Sequence, residues 1–352
     1  VEGTCEEMCP AEERERRAAA AELNVFERVD KSNAKQTSPS MCVKKAVRNY
    51  DDREKRPSNI RTYSALCRTM DHLLAIMDRD DEDLLDIHSF LWDRFREVRK
   101  EAATQRMDKS AATLPAVIEW NETIARFLIF SGHELLSFDR PIGTTDRIFQ
   151  SHLNQEQLNK VLMDLIGYYN AARTLGVPTP NSAEFKSYFV VMMYGGVANK
   201  QKKKQPNYLG AHWVLMGMTE EERQSQWESV ARAVLHALSS RDVVQYVRLL
   251  QQAPYVFSCV LALHLSGMRR QALTLLSAAC GPDAVTGSGG AAVDVASVGQ
   301  LMFMGPNPAG KRCEKAGAQV GPDPVDGTPS VLFPPLDALR VATYARMPEP
   351  AG

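Results

Sequence analysis

Phe90–Leu91–Trp92–Asp93–Arg94–Phe95–Arg96–Glu97–Val98–Arg99–Lys100–Glu101 combines large apolar residues with a dense run of charges. Leu84, Ile87, Leu91, Phe95 and Val98 recur at spacings of three and four, so they share one face of a helix. At about 100° per residue, Asp93, Arg96 and Lys100 fall on the opposite side. Arg94 lies at the edge of the apolar stripe, where a charge needs a partner or a binding role. The plain alternative is a solvated helix with intrahelical ion pairs, each worth a few tenths of a kcal/mol.

Outward from this helix the period stays helical. Candidate helices cover Ser64–Met77, Glu82–Gln105, Ala116–Ser137, Gln155–Thr174 and Ser182–Met193. Asp81, Asn154 and Asn181 precede the second, fourth and fifth as N-caps. Before them, Pro10 followed by Glu12 and Glu13 marks a helix start. Thr219–Glu220–Glu221–Glu222 is a capping box. Helices over Arg223–Leu238, Asp242–Gln251, Tyr255–Leu265 and Arg269–Ala279 follow with short connections. Strand-like alternation is nearly absent, so the fold class is all-α, an array of stacked helical hairpins without a repeat of fixed period. After a Gly/Ser-rich stretch the character changes: short helices at 295–302 and 311–316 and an apolar run Val331–Leu332–Phe333 suit a small winged-helix unit. The expected organisation is an N-terminal helix and basic extended segment over 1–62, a helical array over 63–280, a linker over 281–290, the winged-helix unit over 291–335 and a tail over 336–352.

At 352 residues the chain can bury a large core in two or more subdomains. A formal net charge of −1 argues against a globally basic nucleic-acid binder, but not against local basic patches. Between Lys44 and Arg68 eight cations face three acids. Lys200, Lys202, Lys203 and Lys204 form a second basic run. No apolar run of about twenty residues predicts a membrane span. The start at Val1 shows neither a signal-peptide pattern nor an initiator Met, as expected of a piece of a longer chain. Seven scattered cysteines fit a reducing compartment rather than a disulfide framework. Cys5 and Cys9 are spaced to begin a metal site, but no second Cys/His pair follows.

The chain carries no P-loop, strand-anchored GxGxxG, H-E-x-x-H or G-x-S-x-G pattern. Its histidines are dispersed through helical segments. The expectation is therefore a protein that is not an enzyme, with no cofactor, metal or small-molecule substrate.

Several segments, in order, resemble the Sac-three/GANP family of mRNA-export scaffolds. Gly3–Thr4–Cys5–Glu6–Glu7–Met8–Cys9–Pro10, followed by a Glu/Arg-rich helix with Glu13 and Arg14, is similar to the family's G-x-C-x-x-M-C-P opening. Val43–Lys44–Lys45 and Ile60–Arg61 resemble its V-K-K and D-[VL]-R-P elements. The Trp92–Asp93–Arg94 helix resembles its F-[IVL]-W-D-R-T-R-x-[IV]-R-[QK] segment. Leu153–Leu158, Asn181–Tyr188 and Ala253–Pro254–Tyr255 match further segments. Phe95 stands where Thr is usual, Thr62 where Pro is usual and Ser182 where Glu is usual; the first is expected to alter the surface of the charged helix. The likeness fits compact, type-C-like members best.

The resemblance implies a PCI-type array ending in a winged helix that pairs with a second PCI-type protein, itself braced by a small acidic proteasome-lid-type subunit. It also implies an RNA platform and a nuclear place, at the nuclear pore. The alternative is a protein-only adaptor at the centrosome or spindle, or a proteasome-lid-like subunit, with a cytoplasmic or centrosomal place. Candidate RNA contacts are Lys44, Lys45, Lys200, Lys202, Lys203 and Lys204, since phosphate contacts need only clustered cations. Candidate partner contacts are Arg96, Arg99, Lys100, Val331 and Phe333. Cys9, Pro10, Glu13, Arg14, Trp92, Asp93 and Arg94 form a structural signature, with Arg94 expected to lock neighbouring helices through an acid such as Glu13.

Overall fold

The computed structural model describes residues 1–47, 56–139, 148–195, 207–282, 290–323 and 327–340. The chain divides into two compact units, Val1–Phe185 and Lys186–Gly352. The division falls inside the stretch read as one array over 63–280. The described residues are mostly helical, as the periodicity predicts.

In the first unit α1 is Ala11–Ala19, with Glu12 and Glu13 in its first turn and Arg16 and Arg17 in its last. That order of charge complements the helix dipole. An extended arm carries Met8 past Lys44, whose amide donates to the Met8 carbonyl at 3.0 Å. Three further helices follow: α2 Tyr63–Met77, α3 Leu84–Thr104 and α4 Leu114–Glu134. α5 is Ser151–Leu175, ended by Gly176 at φ +68°, and α6 is Ser182–Gly195. α3 packs between α2 and α4, and α4 against α5.

The helix starts differ from the sequence reading in instructive ways. Asp83, not Asp81, caps α3, accepting from the Leu85 amide at 2.8 Å, while Asp81 pairs with Arg79 at 2.6 Å. Asn154 is no cap: it is buried inside α5, 3.0 Å from His88 Nε2, and donates to the Leu128 carbonyl at 2.8 Å. Thr62, in place of proline, is itself the cap of α2, its hydroxyl accepting from the Ala65 amide. Phe95 does not alter the surface of α3. It is 2% exposed and meets Phe127 of α4 edge-on, with centroids 5.9 Å apart.

In the second unit α7 is Tyr208–Met216, α8 Glu220–Arg223, α9 Gln226–Ser240, α10 Val243–Gln252 and α11 Tyr255–Cys280. The Thr219/Glu222 capping box is present. α11 is one unbroken helix where the sequence predicts two. Gly267, in the gap between those two segments, sits within it, and a Cβ there would meet open space. β1 Ala292–Asp294, α12 Val295–Leu301, α13 Pro306–Lys315, β2 Gln319–Pro322 and β3 Pro329–Leu332 complete the unit. The sheet is antiparallel in the order β1-β3-β2, with Val331 paired to both Val293 and Val320. Val331 and Phe333, read as partner contacts, are interior at 0% and 3% exposure, whereas Leu332 between them is 47% exposed. Strand alternation gives the reason: the middle residue points the other way.

Gly3 shows how tightly the arm is set. Its amide donates to Gln105 Oε1 at 2.8 Å, and a Cβ added to it would lie 2.5 Å from the Ile60 carbonyl oxygen. The three nearest atoms are all backbone of Ile60 and Arg61, not the far end of a flexible side chain that could yield. Gly3→Ala is expected to cost about 1–3 kcal/mol by overpacking, read as a lowered denaturant midpoint at unchanged m-value.

Candidate functional site

α3 has a second buried stripe, and beyond its first residue this one is charged. Phe90, Arg94, Glu97 and Glu101 recur at spacings of four, three and four, and all are buried. They face the N-terminal arm, which supplies the opposite charges. Lys44 Nζ lies 2.7 Å from Glu101 and 3.3 Å from Glu97, and donates to the Asn59 carbonyl at 2.6 Å. Arg61 Nε donates to the other oxygen of Glu101 at 2.7 Å. Arg94 reaches Glu27 at 3.0 Å. Arg17 of α1 closes on the same Glu27 carboxylate and donates to the Val43 carbonyl at 3.0 Å. Glu13 and Asp93 bind backbone at the rim, accepting from the amides of Lys45 at 2.9 Å and Ala46 at 3.1 Å.

Charges this deep persist only when paired and hydrogen-bonded. Arg17, Lys44, Arg61, Glu27, Glu97 and Glu101 are all at 1% exposure or less. Burial opposes ionisation of Glu27, but the Arg94 and Arg17 guanidiniums outweigh it, and its carboxyl is held below the usual range. Glu13 shows the reverse balance, burial pushing its carboxyl up. Beside this network Cys9 packs with Leu23 and Cys42, its thiol pushed up by the Cys42 hydrogen bond and by burial. Arg14 holds Glu7 and donates to the Cys9 carbonyl at 3.3 Å.

A second cluster fixes the start of α6. Glu122 of α4 accepts from the Tyr169 hydroxyl at 2.8 Å and the Asn181 amide at 2.7 Å. Arg126, one turn on, grips Glu184 with two nitrogens at 2.9 and 2.7 Å and covers the Phe185 ring at 4.7 Å. Within the second unit, Lys186 lies 2.6 Å from Glu222, and Tyr188 meets Trp227 and Phe257 edge-on.

These contacts revise the candidate residues. Lys44 is not available to RNA: its ammonium is consumed by two carboxylates and a carbonyl in the interior. Arg99 bridges α3 to Asn121 at 3.0 Å and to Asp164 at 2.6 Å, with only 12% of its side chain exposed. It ties helices together rather than standing out for a partner. Lys100 sits 3.3 Å from Glu97, and Arg96 lies over the Trp92 ring at 4.7 Å. Arg94 pairs with Glu27 of the arm and with neighbouring Asp93, not with Glu13. Lys45 is exposed. Lys200, Lys202, Lys203 and Lys204, and most of the 281–290 linker, lie outside the described residues. Glu27, Glu97, Glu101, Arg17 and Arg61 were missed as members of one cluster. The available signal was the pair Glu97 and Glu101, four apart on a helix whose interior edge already held Arg94. Among the described residues no group of three or more His, Cys, Asp or Glu is placed to hold a metal.

What emerges, among the described residues, is a helical protein whose buried charges in the first unit join its own segments. The model of the SAC3/GANP family matches residues 8–321. SAC3 family protein B of Arabidopsis thaliana is 33% identical over 276 residues, covering 78% of this chain and 15% of that protein. Protein xmas of Drosophila melanogaster is 29% identical over 284 residues, covering 76% and 12%. SAC3 family protein 1 of Schizosaccharomyces pombe is 30% identical over 197 residues, covering 54% and 17%. The chain belongs to the SAC3/GANP family. It spans less than a fifth of the length of each of these relatives.

Glu27→Gln removes one charge from between two guanidiniums and is expected to cost about 3–5 kcal/mol, as breaking a buried pair does. The pH dependence carries a sign. With its folded pKa below the unfolded value of about 4.3, Glu27 stabilises the fold above that pH and loses its contribution as pH falls through the folded value. Chemical denaturation between pH 7 and pH 3 should show the wild type losing stability on acidification, and Glu27→Gln losing less.

Proposed function

We propose that this chain is a non-catalytic scaffold in nuclear mRNA export or processing, working by binding a second PCI-type protein and RNA. The observation that carries the reading is the use of charge. The family-like segments place their ionisable groups in buried ties between arm and helix, not in an open cleft with convergent polar groups, which an active site requires. Membership of the SAC3/GANP family supports the mRNA-export theme. The activities and partners of the much longer relatives are carried to this chain as part of the proposal.

The order β1, α12, α13, β2, β3, with two helices inserted before an antiparallel hairpin, supports reading this end as a winged helix. In that reading the second PCI-type protein, with its small acidic proteasome-lid-type subunit, docks beside the sheet. Leu332 then replaces Val331 and Phe333 as the outward contact, and Arg96 is the α3 cation that faces a partner. RNA is held by Lys200, Lys202, Lys203 and Lys204, with Lys45 a separate candidate. The place of action is the nucleus, at the nuclear pore. The protein-only adaptor, centrosomal or cytoplasmic, is the second reading, favoured by the withdrawal of Lys44 from the basic surface. No described helix is long and apolar enough to cross a membrane, in keeping with partners that are protein and nucleic acid.

Two measurements separate the readings. Single-stranded RNA should bind with log K falling against log salt with a slope of about −3 for four phosphate contacts. Charge reversal of Lys200, Lys202, Lys203 and Lys204 together should abolish that slope; an unchanged slope removes these lysines from the RNA site. Co-expression with PCI-type partners should yield a complex on size exclusion that Leu332→Asp weakens at least ten-fold. A chain that stays alone with every such partner and ignores RNA at low salt overturns the scaffold reading.

A further inference from the structure

Two thiols of the first unit meet in a place that is not apolar. Cys9 and Cys42 are both fully buried and pack together with Leu23, with Ala18 of α1 against them. The Cys9 thiol donates a hydrogen bond to the Cys42 sulfur. A buried cysteine usually acts as a small apolar residue. Cys42 has other company: Arg17 Nη1 donates to its sulfur at 3.5 Å, and Glu27 Oε1 lies 3.9 Å away. The hydrogen bond from Cys9 holds the Cys42 thiol below the usual thiol range, against burial and the Glu27 carboxylate. A donated S–H and a neighbouring guanidinium both favour the thiolate, the form that reacts. Burial pushes the thiols of Cys5, Cys67 and Cys313 the other way.

Both thiols hang on backbone that can shift without melting a helix. Cys9 stands just before Pro10, which opens α1, and Cys42 lies in the arm, outside helix and strand. Their segments already run side by side. The Lys44 amide donates to the Met8 carbonyl at 3.0 Å, and Arg14 donates to the Cys9 carbonyl at 3.3 Å. Sulfurs within hydrogen-bond reach of each other are joined by turning side chains, not by rebuilding the fold. Local opening of such an edge admits a small oxidant while the helices stay folded.

We propose that Cys9 and Cys42 are a site of reversible oxidation, joined by a disulfide when the chain meets hydrogen peroxide and parted again by thiol reductants. The Cys42 sulfur attacks one peroxide oxygen, the O–O bond breaks, and the hydroxide released takes the thiol proton and leaves as water. The Cys9 sulfur then attacks the sulfenic sulfur of Cys42. The S–O bond breaks, and the second hydroxide leaves as water with the Cys9 proton. Two thiols lose two electrons, and one peroxide gains them. Two molecules of a thiol reductant reverse the step through a mixed disulfide. In the reduced chain ion pairs hold the arm; in the oxidised chain a covalent loop also encloses α1, Leu23 and Glu27. The proposal is independent of the scaffold reading, and its failure leaves that reading standing.

The test treats the full 352-residue chain with hydrogen peroxide, blocks remaining thiols with N-ethylmaleimide and maps tryptic peptides by mass. The expected product joins peptide 1–14 to peptide 36–44, lighter than their sum by two hydrogens, and fragmentation places the bond at Cys9, not at Cys5. It should form roughly ten-fold faster than any other cysteine pairing. It should also disappear on dithiothreitol and raise the melting temperature by several degrees while present. Cys42→Ala should abolish both the link and the shift; the wild-type map decides the matter whether or not that variant folds. No joined product, a bond at Cys5, or oxidation of Cys42 to a sulfinic acid without a bond overturns the proposal. So does a link that forms only in urea, or one that dithiothreitol leaves in place.

Discussion

The carboxylate of Glu27, clamped between Arg17 and Arg94, is the contact on which the first unit depends. It joins three segments far apart in sequence: α1, the arm that follows it and the middle of α3. Remove Glu27 and two guanidiniums are left facing each other in the interior. Glu101 does the same job about two turns further along α3 than Arg94, holding Lys44 and Arg61 with separate oxygens. Most of the described residues of the arm between α1 and α2 lie outside helices and strands. Ion pairs placed along one helix supply the specificity that a hydrophobic face supplies elsewhere. Buried ion pairs contribute modestly to net stability but penalise every wrong register.

This arrangement explains why the charged helix could be recognised and yet be misread. Its apolar stripe was legible because a period of 3.6 is a local property. Helix ends marked by Pro10, Thr219 and Asp242 were legible for the same reason. Whether Arg94, Arg99 or Lys44 faced water was not, because each is neutralised by an acid 53 to 67 positions away. A basic excess over 44–68 looked like a nucleic-acid surface; in the fold, part of it is the counter-charge of Glu97 and Glu101. Asn154 failed as a cap for a related reason. Its side chain was needed between His88 and α4, and a buried amide with partners on two helices outweighs a cap at a solvent-facing end.

The departures from the family pattern follow the same logic. Thr62 substitutes one way of starting a helix for another, since proline needs no amide partner and threonine provides one. Phe95 exchanges a small polar residue for an aromatic contact between α3 and α4. Neither disturbs the ionic stripe, which lies on a different face. Family-like segments at Asn181, Glu184 and Phe185 are answered from α4 by Glu122 and Arg126, so they too are legible as a pattern but explicable only in three dimensions.

α11 has a consequence of another kind. At 26 residues it is roughly 39 Å long, and it is in register with its surroundings at three separated points. Phe257 meets Tyr188 and Trp227 near one end, Arg269 donates to the Met302 and Phe303 carbonyls in the second half, and Ser277 donates to the Pro334 carbonyl at the far end. One residue gained or lost inside the helix would rotate everything beyond it by about 100°, throwing at least one of these contacts onto the wrong side. Substitutions along α11 can be absorbed singly, but its length cannot drift. Variation in chain length within this unit must therefore accumulate in its connections, and the reading frame of this one helix acts as the unit's ruler.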